Sequence, residues 1–377
     1  MVSVLHTESY DLSLMRERVK KHFALLSLPA RLSPEMKVLI KPNLLMRRRP
    51  EEGTTTHPSL IEAIVLELQE CGIKNIVLAD SPGGVYSKQT LTSIYRGCGM
   101  QAMAERTGIT LNFDTDSAPM ENAAGKLCKS FEIIRPVHDA DFIISVGKLK
   151  THCMTGLSGG VKNLFGCIPG LMKPEFHWRY PEETLFCEML VDLCETVHPD
   201  VTFIDAVVSM EGDGPSAGSL RETNLTFCAD SPYELDLILA KTIGKPAQEI
   251  LTIAHAIERG LCPATAEEVP LAGDALKVFP DFKQPRSRTV DFLNWVPGPL
   301  KPIAKPIIST VLTPRPEVRK KLCIGCGKCA ESCPAHTIVI ENGKANIIRK
   351  DCIKCYCCHE MCPVHAIKVK RNRILDL

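Results

Sequence analysis

Two cysteine motifs near the C-terminal end of the sequence have the residue types and spacing of a metal centre. Each follows the pattern C-x2-C-x2-C-x3-C before a proline, and the second starts 29 residues after the first. Three thiolates at this spacing surround one iron–sulfur cubane only in a tight loop, and the cysteine before the proline leaves that loop for a neighbouring cluster. Tetrahedral zinc also uses C-x2-C pairs and is the competing interpretation. The motifs are Cys323, Cys326, Cys329 and Cys333, and Cys352, Cys355, Cys358 and Cys362.

The sequence around these motifs resembles the bacterial two-cluster ferredoxins. The resemblance covers all eight cysteines and the similar phrases AHTIVI and VHAIKV that follow the motifs. It implies two [4Fe–4S] clusters that transfer electrons, and it gives the additional Cys357 no ligand role. The resemblance assigns one cluster to Cys323, Cys326, Cys329 and Cys362, and the other to Cys352, Cys355, Cys358 and Cys333.

The rest of the composition is typical of a globular protein in a reducing compartment. Of the 377 residues 45% are hydrophobic and 24% charged, and the net charge of +1 excludes nucleic-acid binding driven by overall charge. Nine of the 18 cysteines are scattered, which is expected of buried thiols rather than of a secreted disulfide scaffold. No apolar run reaches about 18 residues, and the first residues do not resemble a secretory signal. We therefore expect a cytoplasmic protein without a membrane span or a nucleic-acid partner.

The residues before the cysteine motifs alternate between strand-like and helix-like patterns. Strands are predicted within MKVLIKPNLL, NIVLAD, DADFIISVGKLKTH and VTFIDAVVSM. Helices are predicted over Leu12–Leu26, from Pro58 to Gly72, over Glu182–Val197 and within SPYELDLILAKTIG. This alternation predicts an α/β main domain over residues 1–295, with a mixed or parallel sheet and flanking helices. Six prolines from Val296 to Pro316 predict an extended linker over residues 296–311, followed by a small α+β ferredoxin-like two-cluster domain over 312–377.

A second group of residues suited to chemistry lies between Gly147 and His177. Glycine-rich turns expose backbone N–H groups that can bind an anion, lysines add charge, and histidine titrates near neutrality. A structural turn with solvated lysines is the alternative, because glycine-rich strand exits have many uses. The predicted catalytic residues are His152, Lys162 and Lys150, and the predicted cofactor-binding residues are Gly156, Ser158, Gly159, Gly160 and His177. Pro169 and Pro174 predict that His177 lies on a loop.

Two nucleotide-binding motifs are matched poorly. The phosphate-loop pattern needs Ser or Thr after its lysine, but Asn163 follows Lys162. Gly212-x-Gly214-x-x-Ala217 loosely matches a dinucleotide fingerprint, although Pro215 interrupts it. Neither motif predicts a nucleotide cofactor.

Seven phrases, taken in order, are similar to the family called domain of unknown function 362, whose members often carry a ferredoxin-type tail. They are KPNLL, THPSLIEA, ADSPGG, GKLKTH, GLSGGVKNLFG, DAVVSMEGDGP and SPYELD. This resemblance implies no particular reaction. A shorter segment, from His152 through Gly156 and Ser158 to Lys162, is similar to the nickel-pincer lactate racemases. That resemblance implies acid/base chemistry at His152, a covalent cofactor anchor at Lys162 and a nickel ligand at His177.

The combined prediction is an iron–sulfur oxidoreductase. Its clusters would pass electrons to a substrate, or to a second, unknown cofactor, held near His152 and Lys162. A redox partner protein or a small-molecule donor would supply the electrons. Two alternatives stay open: a non-catalytic electron carrier or assembly partner, and an isomerase or epimerase related to the lactate racemases with structural clusters. A cavity that joins His152, Lys162 and His177 and faces the clusters favours the oxidoreductase over both.

Overall fold

A computed structural model describes residues 1–287 and 314–370. The predicted linker over residues 296–311 lies outside the described residues, as do both of its flanks.

Residues 1–287 contain a mixed nine-stranded sheet and a separate hairpin. The spatial order of the sheet is β11-β1-β10-β9-β7-β2-β3-β4, and β8 pairs with β7 beyond this path; β5 and β6 form the hairpin. The strands are β1 (Val2–His6), β2 (Lys37–Pro42), β3 (Asn75–Leu78), β4 (Thr110–Leu111), β5 (Ser117–Glu121), β6 (Ser130–Ile134), β7 (Phe142–His152), β8 (Gly156–Ser158), β9 (Val201–Glu211), β10 (Ser219–Ala229) and β11 (Leu271–Gly273). From β4 through β9 the path is parallel, and β9, β10 and β1 are antiparallel. The mixed sheet confirms the predicted fold class.

Helices cover both faces of this sheet. The α-helices are α1 (Leu12–Leu25), α2 (Pro58–Glu70), α3 (Lys88–Gly97), α4 (Met100–Thr107), α5 (Arg135–His138), α6 (Gly160–Asn163), α7 (Met172–Arg179), α8 (Glu183–Val197), α9 (Pro232–Thr242) and α10 (Leu251–Glu258). Short 3-10 helices span Leu28–Arg31, Pro50–Glu52, Leu164–Cys167, Ala247–Glu249 and Ala266–Glu268. Side chains alternate along β2, so Val38 and Ile40 join the core under α1 and α2 while Leu39 joins the core under α8.

The predicted helix starts and stops correspond to real caps. Helix α2 begins with Pro58 after His57, whose Nδ1 accepts a hydrogen bond from the Ser59 amide at 3.2 Å. Gly72 follows the helix with φ of +90°, a conformation that glycine adopts without the steric cost of a side chain. The antiparallel strands β1 and β10 were absent from the predicted pattern. The loose dinucleotide fingerprint lies in the turn from β9 to β10, with no helix after it, so that motif has no structural support.

Residues 314–370 form the small α+β domain that the cysteine motifs predict. Strand β12 pairs with β15 and β13 pairs with β14, each pair antiparallel. Its elements are β12 (Arg315–Val318), α11 (Lys328–Glu331), β13 (Ile338–Glu341), β14 (Lys344–Ile347), a 3-10 turn (Arg349–Asp351), α12 (Cys357–Glu360) and β15 (Ile367–Lys370). None of the helices among the described residues combines the length and apolar character needed to cross a bilayer.

The second cysteine motif packs against the α/β domain. The Ser216 hydroxyl donates to the Glu360 carbonyl at 2.8 Å, and Nε2 of His359 lies 3.1 Å from the Asp213 carbonyl oxygen. Arg48 reaches the Cys362 carbonyl at 3.4 Å. These contacts hold α12 above the end of β7, where the predicted site residues lie.

Candidate functional site

A cavity lies between the C-terminal end of the sheet and the second cysteine motif. It encloses about 740 Å³ of atom-free space, including its open mouth. The predicted residues Lys150, His152, Ser158, Lys162 and His177 all line it. From the C-terminal domain, Ser332, Cys357, Glu360 and Met361 line the same space. The cavity therefore has one wall from each domain.

Strand β7 carries two of the lining residues at its C-terminal end. Lys150 still pairs with Met210 of β9, and the strand then turns back as a hairpin in which Lys150 pairs with Ser158 and His152 with Gly156. Gly156 has φ of +77°, which suits the tight return. The hairpin places Lys150 and His152 at the carboxyl edge, where open α/β sheets bind ligands.

His152 is held in one orientation by its own backbone. Its Nδ1 accepts hydrogen bonds from the amides of Met154 and Thr155 at 3.1 and 3.2 Å. A neutral imidazole that accepts at Nδ1 carries its proton on Nε2. That nitrogen lies 3.7 Å from a carboxylate oxygen of Glu360 in the other domain. The pair can hold or exchange a proton at the cavity wall.

Lys162, at the end of α6, points its ammonium into the cavity. The Nζ atom lies 4.5 Å from the ring centre of Phe165 and 5.9 Å from that of Phe186. It makes no hydrogen bond or ion pair with any residue of the described parts of the chain. Burial lowers the pKa of Lys162, and the nearby Glu360 carboxylate acts in the opposite direction. Lys162 is thus a cation without a protein counter-ion in contact.

His177 lies on helix α7, not on the predicted loop. Pro174 is the third residue of this helix, where backbone N–H groups have no intrahelical acceptor, so the proline does not interrupt it. The His177 ring stacks on Phe186 with centres 4.2 Å apart. Its buried Nδ1 has no hydrogen-bond partner within the described residues. Burial, with Lys162 nearby, lowers the pKa of His177 to about 3, so the ring is neutral.

Three further lysines line the cavity, and each is anchored. Lys41 forms a buried ion pair with Asp80 at 2.7 Å. Lys150 donates to the Asn43 side-chain oxygen and the Thr54 carbonyl, both at 2.7 Å. Lys173 donates to the Ile168 and Pro82 carbonyls and to the Ser81 hydroxyl. Burial lowers the pKa of Lys150 and of Lys173 to about 7.

The glycine-rich turn does not offer the anion cradle that its sequence predicts. The amides of Gly160 and Val161 donate to the buried Asp236 carboxylate at 2.6 and 3.1 Å. A Cβ on Gly159 would lie 2.1 Å from an Asp236 oxygen, so the missing side chain admits α9 rather than a ligand. The prediction that Gly159 and Gly160 bind a cofactor is therefore wrong: the chain supplies its own carboxylate at that position.

The eight motif cysteines surround two separate voids of about 310 and 300 Å³. The first void is lined by Cys323, Cys326, Cys329 and Cys362, and the second by Cys333, Cys352, Cys355 and Cys358. These are the two sets that the ferredoxin resemblance implies, with the last cysteine of each motif crossing to the other set.

The surroundings of these cysteines fit an iron–sulfur cluster. Amides of Ala345, Thr337 and Ala366 donate to the sulfurs of Cys323, Cys333 and Cys362 at 3.1–3.4 Å, as cluster thiolates require. Among the described residues no three metal-binding side chains converge on one point.

Several residues of the cavity were missed in the sequence. Lys41 and Asn43 lie at the end of a predicted strand, and that position was the available signal. Glu360 lies among the spacer residues of the second motif and reaches the cavity only through domain packing. No local pattern identifies it.

Comparisons with known proteins agree with this two-part organisation. Residues 38–241 match the model of the domain of unknown function DUF362, and residues 315–363 match a 4Fe-4S dicluster domain. The chain is 30% identical over 310 residues to a thylakoid-associated protein of Synechocystis sp., covering 80% of this chain and 89% of that protein.

Two solved structures are similar to part of the chain. The lactate racemase apoprotein from Thermoanaerobacterium thermosaccharolyticum has 16% sequence identity and a TM-score of 0.38, covering 60% of this chain and 53% of that chain. A Thermotoga maritima protein has 16% identity and a TM-score of 0.33, covering 54% of this chain and 52% of that one. The chain thus spans about half the length of the solved structures it matches.

The matches extend over more than half of the chain and over most of a curated relative. The chain belongs to the DUF362 family and carries a C-terminal 4Fe-4S-binding domain.

Proposed function

We propose that the protein is an iron–sulfur oxidoreductase in which two [4Fe–4S] clusters deliver electrons to a substrate or second cofactor held in the interdomain cavity. The observation that carries this proposal is that both domains line the same cavity. The second cysteine motif contributes Cys357 and Glu360 to the same cavity that His152, Lys162 and His177 line.

The covalent connection between the second motif and the cavity is short. Cys357 lies between Cys355 and Cys358, and consecutive Cα atoms are about 3.8 Å apart. Cys355 and Cys358 line the second void, while Cys357 lines the cavity. A cluster bound in the second void would therefore lie within one or two side chains of a bound substrate.

The cavity also offers a route for protons. Reduction of an organic substrate needs protons as well as electrons, and His152 with Glu360 forms a donor pair at the cavity wall. Lys162 can neutralise negative charge that develops on the substrate. A cavity with these groups suits a reaction more than a carrier that only stores electrons, which is why we prefer the oxidoreductase to the non-catalytic alternatives.

Reoxidation of the reduced chain tests this proposal. Anaerobically purified protein is reduced, desalted and mixed with a library of small metabolites, and the visible absorbance of the clusters is followed. We expect at least one compound to reoxidise the wild type and to emerge chemically reduced, much more slowly with the Lys162→Met variant. Lys129→Met, an exposed lysine of the α/β domain, is the matched control. Reoxidation that is the same in all three proteins would overturn the proposal.

The cellular location is also a proposal. None of the 18 cysteines forms a disulfide, which supports a reducing compartment such as the cytoplasm. The Synechocystis relative is named for an association with thylakoids. Fractionation of native cells, with detection of the chain in cytoplasmic and membrane fractions, distinguishes the two locations.

A further inference from the structure

We propose that the cavity binds a small organic anion, a carboxylate or phosphate with an apolar body, and that the Lys162 ammonium is its counter-ion. This inference rests on the proposed function, because it names the class of ligand for the same cavity.

The charges of the lining residues are unbalanced. Four lysines line the cavity against two carboxylates, Asp80 and Glu360. Asp80 is committed to Lys41 at 2.7 Å, and Glu360 faces His152. Lys150 and Lys173 donate only to uncharged oxygens. An excess of buried positive charge is costly unless an anion offsets it.

Two lining groups lack a polar partner and lie close together. Lys162 makes no contact with an anionic or carbonyl oxygen in the described part of the chain. His177 is 4% exposed, and its Nδ1 is unpartnered there too. The two lie close together because both contact the rings of Phe165 and Phe186. Buried polar groups normally have a hydrogen-bond partner, so a group without a partner in the chain indicates that a ligand supplies it.

The apolar part of the ligand has its own wall. Phe165, Pro174 and Met361 line the same cavity beside Lys162. A concave site that combines an apolar wall with a few convergent charged groups suits a small organic molecule rather than a bare ion. An anion with an apolar body satisfies both features.

Binding of an anion should be linked to proton uptake. Burial lowers the pKa of Lys150 and of Lys173 to about 7, so these two groups are partly neutral above neutrality, and burial also lowers the pKa of Lys162. An anion favours their charged forms and raises each pKa again. The groups that face Lys162 from neighbouring elements are Glu360, Cys357, Cys187, Lys41 and His177.

Calorimetry on the oxidised, anaerobically purified chain tests this inference. The probes are benzoate, acetate and inorganic phosphate, with benzamide as the uncharged counterpart of benzoate. We expect benzoate to bind at least about tenfold more tightly than benzamide, and Lys162→Met to lose about tenfold or more in benzoate affinity. Lys129→Met should bind as the wild type. At pH 8, buffers of different ionisation enthalpy should reveal proton uptake on binding.

Three outcomes would overturn the inference: equal affinity for benzoate and benzamide, unchanged benzoate affinity in Lys162→Met, or no binding by any of the three anions. Calorimetry on the oxidised chain measures only ligand binding. Its result is therefore independent of whether the clusters deliver electrons. A neutral metabolite that reoxidises the reduced chain would disprove the anion and leave the oxidoreductase intact. Anion binding without reoxidation by any compound would support the anion and contradict the oxidoreductase.

A second inference concerns the opposite side of the C-terminal domain. The side chain of Ile324 is 63% exposed and that of Leu322 is 45% exposed, and Cys326 is exposed as well. Ile324 and Ile340 both line the first four-cysteine void while they are exposed on their outer side. The first four-cysteine void is therefore separated from solvent by a single layer of side chains.

Basic residues lie beside this apolar tip. Arg319, Lys320 and Lys321 are exposed, and residues 319–328 contain no acidic residue. Lys328 forms an ion pair with Glu331 at 2.7 Å. We infer that the electron donor is an acidic carrier protein that docks on Leu322 and Ile324, with its carboxylates against these cations. In that encounter the carrier's reduced centre loses one electron and the first cluster gains it. Opposite charges on docking surfaces accelerate association by about 10 to 10³ at low salt.

Stopped-flow reduction of the clusters tests the docking surface. The donors are a reduced acidic flavodoxin and photoreduced deazariboflavin, a small neutral reductant. We expect Lys321→Glu and Ile324→Asp each to slow reduction by flavodoxin about tenfold at low salt, with a smaller difference at high salt. Reduction by deazariboflavin should be unchanged, and Lys129→Glu should behave as the wild type. Equal flavodoxin rates in all variants, or equal loss with both donors, would overturn the inference.

Discussion

The two cysteine motifs are near copies in sequence, yet they lie in opposite surroundings. In the first motif Cys326 is exposed and Ile324 is 63% exposed. In the second, the corresponding Cys355 is half-buried, and Cys357 lines the interdomain cavity. The difference comes from the spacer residues and not from the ligands, because all eight cysteines keep the same spacing.

The spacers show how one repeat can be adapted to two tasks. Gly327 and Lys328 of the first motif correspond to Tyr356 and Cys357 of the second. Gly327 and Tyr356 share a left-handed backbone, with φ of +76° and +64°. Tyrosine tolerates this conformation poorly, and its hydroxyl is bound to the Pro314 carbonyl at 2.8 Å. The second motif has thus exchanged an exposed, unstrained spacer for a packed one that faces the cavity.

Removal of one ligand cysteine should distinguish the two cluster sites most clearly. Cys333 belongs to the first motif but lines the second void, so Cys333→Ala should remove the cluster of the second motif. We expect iron to fall from about eight to about four atoms per chain in anaerobic protein. Cys357→Ser should keep about eight, because Cys357 lines the cavity and not a void. Iron loss in the Cys357 variant would show that the assignment of ligands is wrong.

A chelator should distinguish the exposed centre from the buried one. In the first void Cys326 is exposed and Ile324 is 63% exposed, whereas the four cysteines of the second void are buried or half-buried. Anaerobic titration with an iron chelator should therefore release iron in two phases of about four atoms each. Electron paramagnetic resonance of the surviving cluster identifies which one leaves first. Release in one phase, or earlier loss from the second motif, would contradict the difference in exposure.

The sequence predicted those parts of the fold that depend on nearby residues. The parallel strands and their helices have apolar patterns within single segments, and the caps of α2 stand beside it. The ferredoxin resemblance likewise implied the two sets of four cysteines that line the two voids. Strand β10 was missed because SLRETN is polar, and its burial depends on pairing with β1 at the other end of the chain.

The candidate site was predicted only in part, because some of its contacts join residues that are far apart in the sequence. His152, Lys162 and His177 line one cavity, as their spacing suggested. The role of the glycine turn was wrong because its amides bind Asp236, about 75 residues later. Glu360 enters the cavity through contact between two domains, and nothing in its local sequence indicates that contact. Long-range packing decides these details, and a single sequence does not encode them in a local pattern.

Corresponding glutamates in the two motifs should differ in their effect on redox potential. Glu360 faces the cavity beside the second void, whereas its counterpart Glu331 is paired with Lys328 at the surface. Removal of a nearby negative charge stabilises the reduced cluster, so Glu360→Gln should raise the potential of the second cluster by tens of millivolts, where about 59 mV corresponds to about 1.4 kcal/mol. Glu331→Gln should change the first potential less. Potentiometric titration of both clusters measures the difference, and equal shifts would show that the two environments are alike.

Substitution of the two corresponding spacer residues should produce the smallest and most local effects. Tyr356→Phe removes the hydrogen bond to the Pro314 carbonyl, which should cost about 1 kcal/mol. Gly327→Ala forces a side chain into the left-handed region, at a similar cost of about 1 kcal/mol. With a urea dependence of about 2 kcal/mol per molar, each change should lower a midpoint by roughly 0.5 M. Because the spacers belong to different motifs, Tyr356→Phe should shift the urea-induced loss of the second cluster and Gly327→Ala that of the first. Spectroscopic signals that separate the clusters measure this, and identical shifts of both clusters in either variant would mean that the motifs unfold as one unit.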